Sequence, residues 1–142
     1  MRCRQAVYPG DAPPPCRSES IRPLTGEHLD FLLAHYRKED GEYLAWLLER
    51  GAVFGDYRQG ELAGIIGKHA EGSMGLLEVL PEWRRQGIAL ELESFLIGRE
   101  LARGNRPYCQ VFPDNAPSLA LQRKLGMLLT ETEILWLRKT GD

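Results

Sequence analysis

The residues best suited to chemistry lie together in one short basic segment of the chain. Arg84 and Arg85 are followed closely by Gly87 and Ala89. A helix that starts here offers unpaired backbone N–H groups and the positive end of its dipole, next to two arginine charges. Because glycine and alanine let a ligand lie close to the backbone, the segment predicts a site for an anion such as phosphate. The alternative is an ordinary turn with solvated arginines.

A strand before this segment and a helix after it would hold it in position. The apolar run from Leu76 to Leu80 contains Glu78 and stops at Pro81, which removes a donor from a sheet ladder. After Gly87, apolar residues recur at helical spacing and polar residues fall between them. The apolar positions are Ile88, Leu92, Phe95, Leu96 and Leu101, and the polar positions are Glu91, Arg99, Glu100 and Arg103. The pattern therefore predicts a strand, a basic turn and an amphipathic helix in direct succession.

Two blocks of the sequence resemble motifs of the GNAT acyltransferase superfamily. Residues 84–89, RRQGIA, fit the pattern Arg/Gln-x-x-Gly-x-Gly/Ala, which is the acetyl-coenzyme A signature of that family. Residues 115–127 resemble the family's later motif, in which an asparagine opens a helix that closes with Lys-Leu-Gly-Phe. The similarity is clearest from Val53 to Met127, and it is closest to the glycine N-acyltransferase-like branch.

The resemblance implies a single-domain α/β (α+β) fold over residues 21–142. Its mixed sheet would have about six strands, mostly antiparallel, flanked by about four helices. The fourth strand begins near Ser73 and the fifth runs from Tyr108 to Phe112. A helical crossover between them predicts that they are parallel, and in the family they splay apart.

The remaining strands are predicted from local patterns. Ile21 to Leu24 is a short edge strand, because it contains a proline, and residues 53–67 form a hairpin with Gly60 in its turn. Residues 128–138 predict one or two final strands. Residues 1–20 are rich in proline and show no period, so an irregular leader is expected there.

The resemblance also implies how coenzyme A would bind. Its arm would lie between the splayed strands, its diphosphate would rest on the amides of the basic turn, and Arg84 would position that loop. Asn115 and Ser118 would face the arm from the other wall. The predicted cofactor-binding residues are Leu77, Val79, Arg84, Arg85, Gln86, Gly87, Ile88, Ala89, Asn115 and Ser118.

Acyl transfer to an amine needs a neutral nucleophile, a polarised thioester carbonyl and a proton for the departing thiolate. Glu78 is the candidate catalytic base; a water held by Glu71 is one alternative, and a solvated or salt-bridged Glu78 without a catalytic role is another. A backbone N–H near Val79 or Leu80 is the candidate for polarising the carbonyl. Many GNAT members carry a tyrosine as the acid where this chain has Gln122, so the sequence assigns no acid.

Charge and composition restrict the class of function. The net charge of −2 over 142 residues argues against a protein that coats nucleic acid or a membrane. The three cysteines are widely spaced and odd in number, which predicts free thiols and no metal site. No apolar stretch has the length of a membrane span or the form of a signal peptide, so the expected location is the cytoplasm.

These observations support one hypothesis and one alternative. The hypothesis is an N-acyltransferase that moves an acetyl or other short acyl group from acetyl-coenzyme A, or another acyl-coenzyme A, to a primary amine of a small molecule or peptide. The alternative is a coenzyme A-binding regulatory or interaction module without turnover, which the missing tyrosine favours. An exposed edge at the last strand would allow a homodimer.

Overall fold

The computed structural model describes residues 2–36, 39–130 and 134–135. The strands are β1 (Arg2–Val7), β2 (Ile21–Pro23), β3 (Val53–Arg58), β4 (Glu61–Lys68), β5 (Met74–Val79), β6 (Tyr108–Val111), β7 (Leu128–Leu129) and β8 (Ile134–Leu135). The α-helices are α1 (Leu29–His35), α2 (Gly41–Glu49), α3 (Ile88–Ala102) and α4 (Ala116–Lys124). This combination of helices and strands confirms the predicted mixed α/β class.

All eight of these strands belong to one sheet. Seven lie in the order β2, β3, β4, β5, β6, β1, β7, and β8 pairs with β1. The pairing of β5 with β6 is parallel, and the other described pairings are antiparallel. The mostly antiparallel sheet is therefore confirmed, with β5 and β6 as the predicted fourth and fifth strands and with two more strands than expected. β2 lies at the edge of the sheet, as its proline predicted.

The irregular leader predicted for residues 1–20 is wrong for residues 2–7. These residues form β1, which pairs with β6 on one side and with β7 and β8 on the other. Its buried side chains are the small residues Cys3 and Ala6, and Val7 is its one β-branched residue, so the strand has little of the β-branched and aromatic composition that normally marks one. The prolines at 9 and 13–15 follow the strand, and residues 8–20 contain no helix or strand.

The sheet has a hydrophobic cluster on each face. Ile66 packs in the cluster beneath α3, whereas Ile65 packs against α1 and α2, because neighbouring residues of a strand point to opposite faces. From α3 the first cluster takes Ile88, Leu92, Leu96 and Ile97; from α1 and α2 the second takes Leu32, Leu44, Leu47 and Leu48. The helices thus fix the sheet from both sides.

The described part of the chain contains no helix with the length and apolar composition needed to cross a membrane. In the same residues, no group of three or more His, Cys, Asp or Glu side chains is arranged to hold a metal ion. All three cysteines are free thiols, and Cys3 and Cys109 are buried.

Candidate active site

A cleft opens between β5 and β6. In the described residues these parallel strands pair at a single position, Met74 with Cys109, and beyond it they diverge. The divergence agrees with the splay that the resemblance implied for these two strands. It leaves backbone groups at the carboxyl ends of both strands available to a ligand.

A β-bulge in β5 accompanies the divergence. The register between β4 and β5 shifts between Ile65 and Gly67, and Leu76 has a φ of 53°, a left-handed conformation that costs about 1–2 kcal/mol for a residue with a side chain. The Tyr36 hydroxyl donates a hydrogen bond of 2.6 Å to the Leu76 carbonyl oxygen. Because a bulge bends its strand, β5 turns away from β6 beyond Met74.

The cleft holds a cavity of about 290 Å³. β5 and β6 form its sides, and α3 and α4 contribute polar side chains. Its lining consists of Ile66, Met74, Gly75, Leu76, Leu77, Glu93, Cys109, Gln110, Val111, Phe112, Asn115, Ser118 and Gln122. Three of the predicted cofactor-binding residues, Leu77, Asn115 and Ser118, are therefore together in this cleft.

The basic turn joins β5 to α3 on the surface of the protein. After a short 3-10 turn at Pro81–Trp83, the chain takes left-handed conformations at Arg85, with φ 66°, and at Gly87, with φ 76°. The side chains of Arg84, Arg85 and Gln86 are exposed. This exposure lets a ligand approach them from solvent.

The first residues of α3 present open backbone. Gly87 is the N-cap residue, and a Cβ atom added there would meet no atom of the described residues within 4 Å. Ile88 is buried and anchors the helix, and Ala89 is half-buried. Because the first N–H groups of a helix have no acceptor inside it, this end of α3 can bind an anion.

Arg84 links the turn back to β5. Its Nε donates to the Val79 carbonyl oxygen at 3.1 Å, and its Nη2 lies 3.4 Å from the Glu78 carboxylate. Val79 itself pairs with Gly64 in β4 and lies outside the residues that line the cavity. These contacts fit the predicted positioning role of Arg84.

Glu78, the predicted base, also lies outside the lining of the cavity. Leu77 packs beneath α3 and Leu76 packs against α1 and α2, so strand alternation puts Glu78 on the α1–α2 face. Burial, and secondly the charge of Glu78, raise the pKa of Tyr36. In the structure Glu78 is salt-bridged to Arg84, as in the alternative that gave it no catalytic role.

Two other groups that the sequence offered for catalysis, the Glu71 carboxylate and the Leu80 backbone N–H, already form hydrogen bonds within the protein. The Glu71 carboxylate accepts from the backbone N–H of Ser73 at 2.7 Å and from the Ser73 hydroxyl at 2.6 Å. The backbone N–H of Leu80 donates to the Ala63 carbonyl oxygen at 2.9 Å, so it cannot also polarise a thioester.

Asn115 and Ser118 define the start of α4. Asn115 is the N-cap residue, and its side-chain oxygen accepts from the Ser118 backbone N–H at 3.2 Å. This capping bond explains why an asparagine opens the helix. The Asn115 amide nitrogen and the Ser118 hydroxyl remain at the mouth of the cleft, where the resemblance predicted contacts with the arm.

A buried polar pair in the cleft was missed by the sequence analysis. Gln122 of α4 donates from Nε2 to Oε1 of Glu93 of α3 at 3.0 Å, and the two residues are 2% and 3% exposed. Burial raises the pKa of Glu93 to about 7, although the bond from Gln122 acts in the opposite direction. Such a carboxyl group exchanges a proton near neutral pH.

The helical spacing of residues in α3 could have indicated that Glu93 is buried. Glu93 lies four positions before Ile97 and Glu100 lies four positions after Leu96, so both acids fall on the core-facing side of the helix. Glu100, one of the polar positions of the predicted amphipathic helix, is 2% exposed and forms an ion pair of 2.6 Å with Lys68.

Comparison with solved structures identifies the fold. A GNAT-family protein from Novosphingobium aromaticivorans is 22% identical, with a TM-score of 0.74 over 91% of this chain. This chain spans 60% of the length of that protein.

Two smaller structures match over nearly their whole length. An aminoglycoside acetyltransferase from an uncultured soil metagenomic sample, in complex with sisomicin, is 18% identical with a TM-score of 0.64; the match covers 86% of this chain and 95% of that one. An aminoglycoside N-acetyltransferase in complex with coenzyme A is 19% identical with a TM-score of 0.66; the match covers 85% of this chain and 94% of that one. The architecture is therefore the GNAT fold.

The sequence itself matches one family model. No curated protein matches the chain significantly. The model described as FR47-like protein matches residues 51–137, a range that includes the basic turn, the cleft and α4. Because this range is more than half of the chain, the protein belongs to the FR47-like family.

Proposed function

We propose that this protein is an acyl-coenzyme A-dependent N-acyltransferase that moves an acetyl or other short acyl group to a primary amine. The observation that carries the proposal is the combination of the cleft between β5 and β6 with the unpaired N–H groups at the start of α3, the helix that follows β5. A ligand with an anionic head and a long, thin arm fits both features at once. Coenzyme A has this form, and its thioester supplies the activated acyl group.

The residues of both features suit this ligand. The diphosphate would be held by the backbone of residues 85–89 and by the exposed arginine side chains. The arm would lie along Leu77 and Val79 of β5, with Asn115 and Ser118 on the opposite side. Arg84 would hold the turn against β5 through its bond to the Val79 carbonyl oxygen.

Glu78 remains our proposal for the catalytic base. Its side chain is 35% exposed and lies near the bulge in β5, on the face opposite α3. An amine that approached from the α1–α2 side of the sheet would contact Glu78 on that side. It would reach the thioester through the cleft.

The acceptor is proposed as a small-molecule or peptide amine. The two aminoglycoside acetyltransferases of similar length support a small molecule, and the resemblance to the glycine N-acyltransferase-like branch favours an amino acid or its relative. Location in the cytoplasm and a homodimer stay predictions from the sequence.

The alternative function is a coenzyme A-binding module that does not turn over. Gln122 favours it, because an amide cannot deliver a proton as a tyrosine hydroxyl does. The two functions share the binding site and differ in the release of free thiol.

One experiment separates these functions. Acetyl-coenzyme A is incubated with a panel of primary amines, free thiol is followed with a chromogenic disulfide, and coenzyme A binding is measured by calorimetry. Thiol release that depends on an added amine supports the enzyme. Binding without release on any amine would favour the module, and absence of binding would refute both.

A further inference from the structure

The Glu93–Gln122 pair, whose side chains bond across the cleft from α3 and α4, has hydrogen-bonding capacity left over. Within the described residues, Oε2 of Glu93 and Oε1 of Gln122 have no hydrogen-bond partner, although both atoms are buried. A buried polar atom without a partner costs about 1–3 kcal/mol. Both residues line the cavity between β5 and β6, so a ligand in that cavity can supply the missing partners.

The pair lies toward the closed end of the cleft. The cleft closes where Met74 pairs with Cys109, and the charge of Glu93 contributes, after burial, to the raised pKa of the Cys109 thiol. By the helical rise, Glu93 lies about 7.5 Å along the axis of α3 from Ile88. A ligand whose anionic head lies at the start of α3 would therefore meet the pair with its arm and not with its head.

We propose that Glu93 is the acid that protonates the departing thiolate of coenzyme A, and that Gln122 holds its carboxyl group in position. This inference rests on the proposed acyltransferase function. Gln122 Nε2 already donates to Oε1 of Glu93, so the acidic proton belongs on Oε2, which is the unpartnered oxygen. The remaining acceptor, Oε1 of Gln122, can take an N–H group of the arm.

The proton balance of the step is complete. The amine nitrogen forms a bond to the acyl carbon, and the carbon–sulfur bond breaks with its electron pair on sulfur. The proton on Oε2 of Glu93 passes to that sulfur, and the proton lost from the amine nitrogen passes to Glu78 or solvent. When the products leave, Glu93 regains a proton from solvent, and Glu78 releases to solvent any proton that it took from the amine.

The surroundings of Glu93 suit an acid that works near neutral pH. Among the described lining residues, Glu93 and Cys109 are the titratable ones, and burial keeps the Cys109 thiol protonated by raising its pKa. The lining residues of β5 are uncharged, and the charged residues of α4, Arg123 and Lys124, are exposed. An acid of pKa about 7 can protonate a thiolate whose ordinary pKa is about 8.5.

The test replaces Glu93 by glutamine, which keeps the shape and the bond to Gln122 but has no acidic proton. We expect Glu93→Gln to lower kcat about 100-fold, to leave the Kd of coenzyme A within about threefold, and to abolish the pH dependence of kcat near pH 7. Glu100→Gln is the matched control, because it removes the other buried carboxyl group of α3, seven residues away. It should keep both kcat and its pH profile.

A second readout needs no turnover. Carbon NMR of the Glu93 carboxyl group should show titration near pH 7 in the free protein and a changed pKa when coenzyme A binds. The inference is overturned if Glu93→Gln retains kcat within threefold, if its loss of kcat is matched by an equal loss of affinity, or if coenzyme A leaves the titration unchanged. If the wild-type protein binds coenzyme A but transfers nothing, or does not bind it, the proposed function fails first and the inference fails with it.

Discussion

Gly87 shows how one residue can matter to the site through its backbone alone. Its φ of 76° is left-handed, which glycine adopts freely and other residues adopt at a cost. A side chain at this position meets no steric obstacle among the described residues. The cost of a substitution in the free protein is therefore conformational, whereas a bound diphosphate would also meet the new side chain.

Gly87→Ala is expected to lower the free energy of unfolding by about 1 kcal/mol and the affinity for coenzyme A by at least tenfold. Gly104, just beyond the other end of α3, is the matched control, since it has a φ of 80° and equally open space. Gly104→Ala should cost similar stability and leave the affinity unchanged. Calorimetry and urea unfolding measure the two effects, and equal affinities for the two variants would refute a ligand at the start of α3.

Glu93 should also make stability depend on pH. Its pKa is raised from 4.5 to about 7 in the folded protein, so between these values the unfolded chain loses its proton while the folded protein keeps it. The free energy of unfolding should therefore fall by about 3 kcal/mol as pH rises from 4.5 through 7. Urea unfolding at pH 5, 6, 7 and 8 measures the slope. Glu93→Gln should remove this contribution, and the exposed control Glu82→Gln should retain it; a wild-type contribution of the opposite sign would contradict the account.

At the scale of elements, the bulge in β5 is what opens the cleft. The Tyr36 hydroxyl from the end of α1 bonds to the carbonyl oxygen of Leu76, a residue in a left-handed conformation. Strain of this kind persists when its surroundings hold it. The α1 helix therefore supports the cleft from the opposite face of the sheet.

Tyr36→Phe is expected to cost about 1–2 kcal/mol of stability and to weaken coenzyme A binding about threefold, because β5 loses the contact that fixes its bulge. Tyr57→Phe is the control. The Tyr57 hydroxyl bonds to Nε2 of His28 at 3.0 Å, away from the cleft, so its loss should affect stability alone. Thermal unfolding and calorimetry distinguish the variants, and unchanged binding by Tyr36→Phe would show that the cleft does not depend on this contact.

The strand β1 completes the sheet beside β6. Ala6 is 0% exposed and lies opposite Cys109 on one side and Leu129 on the other. Ala6→Glu should cost about 3–5 kcal/mol, because it buries a charge without a partner, and should lower Tm by on the order of 10 °C. Gln5→Glu, at the half-buried neighbouring position, should change Tm little. If both variants melt like the wild type, β1 is not part of the folded sheet.

Across the whole molecule, the sequence was informative wherever a local pattern determines the structure. The hairpin around Gly60, the long helix α3 and the basic turn each depend on spacing or on a glycine conformation, and the structure has all three. The parallel direction of β5 and β6 followed from the helical crossover between them, and their splay followed from the resemblance.

The parts that the sequence did not predict depend on contacts between distant residues. β1 is a strand because β6 and β7 pair with it, and nothing in its own side chains requires that. The hydrogen bond between Glu93 and Gln122 joins residues 29 positions apart. The raised pKa of Glu93 results from burial in the folded protein. The ion pair of Lys68 with Glu100 likewise appears once α3 lies on β4.

The chain covers different shares of the solved structures that it resembles. It spans nearly the whole of two aminoglycoside acetyltransferases but 60% of the protein from Novosphingobium. The β5–β6 cleft and the start of α3 both lie within the residues matched by the FR47-like family model. All the residues of the proposed coenzyme site therefore lie in the part of the chain shared with that family.

A crystal structure of the protein with bound coenzyme A tests the central claim most directly. The account predicts the diphosphate on the backbone N–H groups of residues 85–89, the arm between β5 and β6 along Leu77, and the sulfur within hydrogen-bonding distance of Glu93. A complex in which β5 and β6 are paired along their length, with coenzyme A bound elsewhere on the protein, would contradict it.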